Sequence, residues 1–106
     1  MIRRAFTMRL KRGGLAKYAQ HHAEIWRELV DEIERQGIAQ ITIFEADPVL
    51  FLYSEIRDQE AWDRLWHSAI HDKWGEIMNP LMEFNEEGIV DSSELREVFN
   101  LRTDAT

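Results

Sequence analysis

A tyrosine, a histidine and a tryptophan recur at intervals of four residues, as Tyr18, His22 and Trp26. Side chains four residues apart share one face of a helix, so these three rings are expected to lie close together. An imidazole titrates near neutral pH and can accept or donate a proton. His22 is therefore predicted to be either the acid–base group of a pocket or a core histidine with a hydrogen-bond partner.

The three rings belong to an apolar stripe that predicts a single helix over residues 15–36. At about 100° per residue, the stripe spans roughly 100° of arc with His22 near its centre. Gly37 suits the C-terminal cap, because glycine adopts a left-handed backbone without a steric penalty. The stripe consists of Leu15, Tyr18, His22, Ile25, Trp26, Leu29 and Ile33.

Alternating or continuous apolar patterns predict strands at residues 2–10, 38–46 and 49–56. Asp47-Pro48 is a turn signal, so the second and third strands are expected to form a hairpin. The third strand is apolar on both faces, which is typical of a central strand that is covered on each side.

Two short helices are predicted next. The first starts at Asp58-Gln59-Glu60, and the second carries Trp74. A polar loop containing Gly88 is expected over residues 82–94, and a last strand is expected over residues 95–101.

The resulting order, β-α-β-β-α-β, is that of the ferredoxin-like α+β class, a four-stranded antiparallel sheet with helices on one face. A single domain over residues 1–106 accommodates all of it. A second copy of the chain is the simplest cover for the other face of the sheet, so we expect a homodimer.

Composition narrows the classes of protein. The formal net charge of -7 argues against nucleic acid or an anionic membrane surface as a partner. The chain has no cysteine, which is compatible with a reducing cytoplasm, and no apolar run of about 20 residues that would span a membrane. We therefore expect a soluble, cytoplasmic protein.

Motifs for metals, phosphates and nucleophiles are missing from the sequence. His67 and His71 could share a helix face, but they do not form a His-Glu-x-x-His pattern, so no metal is expected. Gly13-Gly14 lacks the spacing and the lysine of a phosphate-binding loop. No serine lies in a Gly-x-Ser-x-Gly elbow, which disfavours a nucleophilic hydrolase.

The aromatic residues suggest a different kind of site, because sugars pack their C–H patches on aromatic faces while their hydroxyls need polar partners. Plain core packing explains the same spacing, so spacing alone leaves the function open. The aromatic residues in question are Tyr18, Trp26, Tyr53, Trp62, Trp66 and Trp74.

Three segments give the chain a resemblance to the L-rhamnose mutarotase family over about residues 1–101. They are the opening Met1-Ile2-Arg3-Arg4-Ala5-Phe6-Thr7-Met8, the helix Tyr18-x3-His22-x2-Ile25-Trp26-x-Glu28-Leu29 with the following Gly37, and the ending Ser92-Ser93-Glu94-Leu95-Arg96-Glu97-Val98-Phe99. Trp62 and Trp74 also stand where that family has tryptophans.

The resemblance implies a dimeric α+β barrel that interconverts the anomers of a sugar without a cofactor. It implies that His22 is the proton donor and that Tyr18 and Trp74 contact the sugar. Mutarotation needs one proton delivered to the ring oxygen and one removed from the anomeric hydroxyl, which an imidazole can do at neutral pH. The second proton-transfer group stays open among Glu55, Tyr53, Asp72, His71 and a water.

Two positions depart from the family pattern. Ile41 stands where the rhamnose enzymes have a substrate-binding tyrosine, and Gly75 stands where they have a second tryptophan. Tyr53 on the next strand is a candidate for the replacement hydroxyl. The expected substrate is therefore a 6-deoxy hexose, either L-rhamnose or a related sugar such as L-fucose.

Two other functions are compatible with the pattern. One is a monooxygenase of the dimeric α+β barrel class, cofactor-free or haem-using, although the ending at residues 92–99 disfavours it. The other is a non-catalytic small-ligand-binding domain in which His22 is a packed core residue.

Overall fold

The structure is a computed structural model, and it describes residues 1–86 and 90–104. Gly88, which the sequence analysis assigned to a loop, lies outside the described residues. The elements follow in the order β1 (Ile2–Arg9), α1 (Leu15–Ala23), α2 (Arg27–Arg35), β2 (Ile38–Ala46), β3 (Val49–Ile56), α3 (Ala61–Trp66), α4 (Ala69–Met78), a short 3-10 helix (Asn79–Leu81) and β4 (Ser92–Leu95).

The four strands form one sheet in the order β2-β3-β1-β4, and every neighbouring pair is antiparallel. β2 and β3 are joined through the turn at Asp47-Pro48 as a hairpin, as predicted. This architecture confirms the ferredoxin-like α+β class.

The register of the sheet places one set of side chains against the helices. Phe6 pairs with Leu52, and Met8 pairs with Leu50, so these four side chains share a face. The buried apolar residues form one cluster between the sheet and the helices: Phe6, Leu10, Tyr18, Leu29, Ile38, Leu50, Leu52, Ile56, Ala61, Trp62, Leu65, Trp74, Met78 and Met82.

One buried polar group anchors a helix to this face. Ser54 is fully buried on β3, and its hydroxyl donates to the backbone carbonyl oxygen of Arg4 at 2.8 Å. The hydroxyl oxygen of Ser54 in turn accepts a hydrogen bond from Nε1 of Trp62 at 2.9 Å. The indole of α3 is therefore both packed and hydrogen-bonded to the sheet.

The other face of the central strand is uncovered in the single chain. Phe51 on β3 and its cross-strand neighbour Phe44 on β2 are 40% and 64% exposed. Leu50, which precedes Phe51 on β3 and faces the helices, is completely buried. The helices cover one face of β3. Its other face, which was also expected to be covered, is open within the described chain.

The predicted helix over residues 15–36 is wrong in one respect, because it is broken into α1 and α2. Glu24 has φ -111° and ψ 30°, and Trp26 has φ -69° and ψ 137°, so the backbone leaves the helix between them. The segment contains neither glycine nor proline. Tertiary packing of Trp26 therefore overrides a locally favourable helix.

The end of the chain differs from the prediction as well. The last strand is Ser92–Leu95, which pairs with Ala5–Met8 of β1, and residues 96–104 form no regular element. β4 is an exposed edge strand, so polar residues suit it and no apolar alternation marks it. The apolar residues that suggested a strand further on, Val98, Phe99 and Leu101, are 88%, 78% and 69% exposed.

Gly37 caps α2 as predicted. Its φ is +95°, a left-handed conformation, and its backbone N–H donates to the carbonyl oxygen of Glu34 at 3.0 Å. In the described part of the chain, no helix is both long and apolar enough to cross a membrane.

Candidate active site

A cavity of about 1120 Å³ lies between the helices and the inner face of the sheet. Pockets that bind small molecules typically measure roughly 300–1,000 Å³, so the space is ample for a hexose. Strand β1 contributes Phe6 and Met8 to the wall, and β3 contributes Leu50 and Leu52. The sheet side of the cavity is therefore apolar.

Four aromatic side chains pack together on the helix side, and three of them, Tyr18, His22 and Trp74, line the cavity. The rings of Tyr18 and His22 on α1 lie 4.2 Å apart between centroids and are inclined by 32°. Trp74 on α4 meets the His22 ring edge-to-face at 5.3 Å, and it meets Trp26 in the same way at 5.2 Å. The structure thus brings the predicted residues Tyr18, His22 and Trp74 together in one wall of the cavity.

A backbone hydrogen bond decides which nitrogen of His22 carries its proton. Nδ1 lies 2.8 Å from the carbonyl oxygen of Tyr18, one turn earlier on α1. A carbonyl only accepts, so Nδ1–H is the donor and Nε2 of the neutral ring bears the lone pair. Nε2 makes no hydrogen bond within residues 1–86 and 90–104, which leaves it available to a ligand.

Burial sets the charge state of the two α1 residues. Partial burial lowers the pKa of His22 below its usual value, opposed by the hydrogen bond to Tyr18 and helped by the nearby His21. Burial raises the pKa of Tyr18 to about 12. At neutral pH the site therefore presents a neutral imidazole base beside a protonated phenol.

Tyr53 does not join the other three predicted residues. It pairs with Ala5 and Thr42 on the open face of the sheet, on the opposite side from the cavity. Its hydroxyl donates to Oε2 of Glu55 at 2.9 Å. Because successive strand residues face opposite sides, the predicted sugar contact of Tyr53 is wrong for the cavity of its own chain.

The two positions that depart from the family pattern both line the cavity. Ile41 contributes an apolar side chain from β2, and Gly75 leaves a gap on α4 next to Trp74. A Cβ at Gly75 would lie 3.5 Å from Nδ2 of Asn79, which is ordinary contact. The space beside Trp74 is thus bounded by a side-chain amide.

One feature of the site had no clear signal in the sequence, and another, His71, was named there as one candidate for the second proton-transfer group. Trp26 reaches Trp74 because of the break between α1 and α2, which no glycine or proline marks. His71 lines the cavity from α4. The predicted pairing of His71 with His67 on one helix face is wrong, because His67 follows the end of α3 and is exposed.

Within the residues that the structure describes, no three histidine or carboxylate side chains come close enough to hold a metal ion. The chemistry that this arrangement supports is proton transfer to a neutral ligand that packs on aromatic rings.

The fold and the cavity together define an α+β protein with a cavity in which the imidazole of His22 lies among aromatic rings. A family model described as L-rhamnose mutarotase matches residues 3–101. The L-rhamnose mutarotase of Clostridium beijerinckii is 36% identical over 104 residues, covering 96% of this chain and all of that protein. The chain therefore belongs to the L-rhamnose mutarotase family, a family of isomerases that act on carbohydrates.

Solved structures give the same result. The crystal structure of an L-rhamnose mutarotase from Formosa agariphila superposes with a TM-score of 0.82 at 27% identity, covering 96% of this chain and all of that one. A dimeric ferredoxin-like protein from an uncultured marine organism has a TM-score of 0.59 at 12% identity, covering 93% of this chain and 91% of the other. The second likeness concerns the fold alone.

Proposed function

We propose that this protein interconverts the α and β anomers of a 6-deoxy hexose, with His22 as the group that exchanges protons with the sugar. The observation that carries the proposal is the unbonded Nε2 of a neutral His22, in a cavity of hexose size, between the rings of Tyr18 and Trp74. Family membership supports the same reaction.

The reaction follows from the protonation state of His22. Nε2 takes the proton of the anomeric hydroxyl while the bond between the anomeric carbon and the ring oxygen breaks and a carbonyl forms. The ring oxygen takes up a proton from a water molecule or from a second proton-transfer group of the site, giving the open-chain aldehyde. Rotation about the bond next to the carbonyl exposes its other face, and closure reverses both proton transfers.

The tautomer refines the role that the resemblance implies for His22. Because Nδ1–H is held by the carbonyl of Tyr18, the neutral ring accepts a proton at Nε2 before it can donate one. Proton donation by His22 therefore follows from the imidazolium that forms during ring opening. Proton transfer by a well-placed side chain contributes typically about 10²–10⁴-fold to the rate.

The aromatic wall suits a sugar. Tyr18 and Trp74 offer flat faces or edges for C–H groups, and the phenol adds a hydroxyl. The Tyr18 hydroxyl makes no hydrogen bond to any residue of the described ranges, so it is available to a substrate hydroxyl. Both residues are buried, which fixes their rings.

The names of the relatives and the lining of the cavity suggest two candidate substrates. L-rhamnose is the first candidate, because relatives of this chain carry that name. Ile41 and Gly75, which both line the cavity, remove aromatic or polar contact area relative to the family pattern. A related 6-deoxy hexose such as L-fucose is the second candidate.

Proton NMR saturation transfer between the α and β anomers tests the proposal. Wild-type protein should accelerate the exchange of L-rhamnose or L-fucose, and His22→Ala should lose about 10²–10⁴-fold of that acceleration. His67→Ala is the matched control, because His67 also bonds through Nδ1 to the carbonyl four residues earlier but is exposed outside the cavity. Absence of acceleration with every 6-deoxy hexose would refute the mutarotase proposal.

A homodimer is the second part of the proposal. The open face of the sheet exposes Phe44 and Phe51, and the tail that follows β4 exposes Val98 and Phe99. Apolar surface of this extent is typical of a surface that binds another subunit. A second copy of the chain that packs sheet against sheet would cover it, and the ferredoxin-like neighbour from the uncultured marine organism is described as dimeric. The cytoplasmic location stays a prediction.

A further inference from the structure

His71 is a partly buried imidazole in the same cavity as His22, on the opposite helix. It lies on α4 three residues before Trp74, so the two side chains are neighbours on one face of that helix. Trp74 in turn contacts the His22 ring at 5.3 Å. The two histidines therefore flank one tryptophan, and both line the cavity.

The polar groups of the cavity fall into two sets. The exposed ones lie at its rim and consist of Glu34, Gln40, Glu45, Arg57, Asn79 and Ser92. Apart from the indole N–H groups of the lining tryptophans, the buried or partly buried ones are Tyr18, His22 and His71. Tyr18 and His22 both come from α1, and of these three side chains His71 alone comes from α4.

The ring of His71 has no structural partner that would explain its position. Neither ring nitrogen makes a hydrogen bond with a residue in the described ranges; only its backbone N–H does, donating to Oγ of Ser68. None of the described buried polar side-chain atoms lacks a partner, so the ring nitrogens are reached by solvent or ligand. A core histidine would be expected to have a partner.

We propose that His71 is a second substrate-binding residue, which hydrogen-bonds a hydroxyl of the sugar remote from the anomeric carbon and thereby contributes to substrate specificity. The proposal rests on the mutarotase function proposed above. A neutral imidazole offers one donor and one acceptor, which matches the needs of a sugar hydroxyl. Burial lowers the pKa of His71, opposed by the neighbouring Asp72, so the ring is neutral at pH 7.

The expected result is a loss of affinity with little loss of turnover. His71→Phe keeps a ring of similar size and removes both hydrogen-bonding atoms. Losing one neutral hydrogen bond should raise KM roughly 3- to 10-fold while kcat changes by less than about twofold. His67→Phe, outside the cavity, is the matched control and should leave both constants unchanged.

Deoxy analogues, each lacking a different hydroxyl of the sugar, identify the hydroxyl that His71 contacts. L-rhamnose is the reference, or L-fucose if wild-type protein turns it over faster. One deoxy analogue should bind about 3- to 10-fold more weakly than its parent to wild-type protein and equally well to the His71→Phe variant. His71→Gln, which retains a donor and an acceptor, should recover most of the affinity.

Three outcomes would overturn the proposal: an unchanged KM in His71→Phe, a uniform loss across all deoxy analogues, or a loss of kcat without a change of KM. If His71→Phe does not fold by circular dichroism, the comparison of His71→Gln with His71→Leu decides the question in the same way. If wild-type protein is active and His22→Ala is inactive, the mutarotase function holds, and any of these outcomes then contradicts only the role of His71.

Discussion

At the scale of single residues, two local interactions keep the His22 ring neutral and fix its proton on Nδ1. Burial among aromatic rings disfavours the imidazolium, and the carbonyl of Tyr18 holds the proton on Nδ1. The ring of Trp74 meets the ring of His22 nearly at a right angle, 5.3 Å away between centroids. In the proposed reaction, these contacts direct proton transfer to Nε2.

The lowered pKa of His22 predicts the pH dependence of the reaction. The base form persists as the pH falls through about 6.5, the usual value of a histidine, and is lost only below it. We expect the acid limb of kcat/KM to have its midpoint below pH 6.5. Saturation transfer from pH 4.5 to pH 8, corrected for exchange without protein, measures it.

The lowered pKa of His22 also predicts how the free energy of unfolding depends on pH. Between the pKa of His22 in the folded protein and about 6.5, the unfolded chain binds more protons than the folded one. The free energy of unfolding should therefore rise with pH in that window and fall on acidification. The His71→Phe variant separates the contribution of His71, whose pKa is also lowered. An acid limb with a midpoint above pH 6.5 in that variant would contradict the neutral-base assignment of His22.

At the scale of elements, the site depends on how three helices are placed. α1 carries Tyr18 and His22 one turn apart, and α4 carries His71 and Trp74. The break before α2 adds Trp26, whose ring packs against Trp74. Helix α2 ends at Arg35, and Gly37 follows it directly before β2 begins at Ile38.

Alanine substitutions at two glycines, Gly37 just after α2 and Gly75 within α4, should change the free energy of unfolding in opposite directions. Gly37→Ala should lower the free energy of unfolding by about 1–2 kcal/mol, because φ at this position is +95° and a Cβ is strained there. Gly75→Ala should raise it by about 0.5–1 kcal/mol, because Gly75 lies within α4 and its Cβ would meet only ordinary contacts.

Urea unfolding of both variants beside wild-type protein measures the difference. The added Cβ at Gly37 would lie at least 3.5 Å from its neighbours, so a steric clash does not explain a loss of stability. Equal effects at the two positions would contradict the assignment of Gly37 as a left-handed cap.

At the scale of the whole molecule, one sheet serves two surfaces. Its inner face forms the floor of the cavity, and its outer face exposes Phe44 and Phe51. The proposed dimer would bury the outer face and stiffen the sheet on which the cavity is built. The ion pair of Arg3 with Glu97, at 2.6 Å, holds the start of the tail at the edge of that face.

A charge on the outer face should dissociate the dimer. Phe51→Glu places a carboxylate in the middle of the apolar surface, which a sheet-to-sheet interface could accommodate only at a high desolvation cost. We expect the variant to sediment as a monomer at concentrations where wild-type protein is a dimer, in analytical ultracentrifugation. Ala16→Glu, on the exposed side of α1, adds the same charge as a control and should leave the mass unchanged. A monomeric wild-type protein would refute the dimer.

Local pattern was sufficient for several parts of this molecule. The three long strands, the hairpin at Asp47-Pro48 and the Gly37 cap were predicted because each depends on neighbouring residues alone. The helical spacing of Tyr18 and His22 predicted their contact for the same reason. The residues of the L-rhamnose mutarotase pattern, spread along the chain, identified the family before the structure was considered.

Only the tertiary structure decided the remaining features, because each depends on groups distant in sequence. The break before Trp26 is set by packing on Trp74, 48 positions along the chain, and β4 is set by pairing with β1 at the other end. The face of β3 that meets the cavity excluded Tyr53 and left its hydroxyl to Glu55. The contact of His22 on α1 with Trp74 on α4 gave one cavity both His22 and His71, which no spacing along the sequence records, because the packing of α1 and α4 arises from the burial of apolar surface between elements.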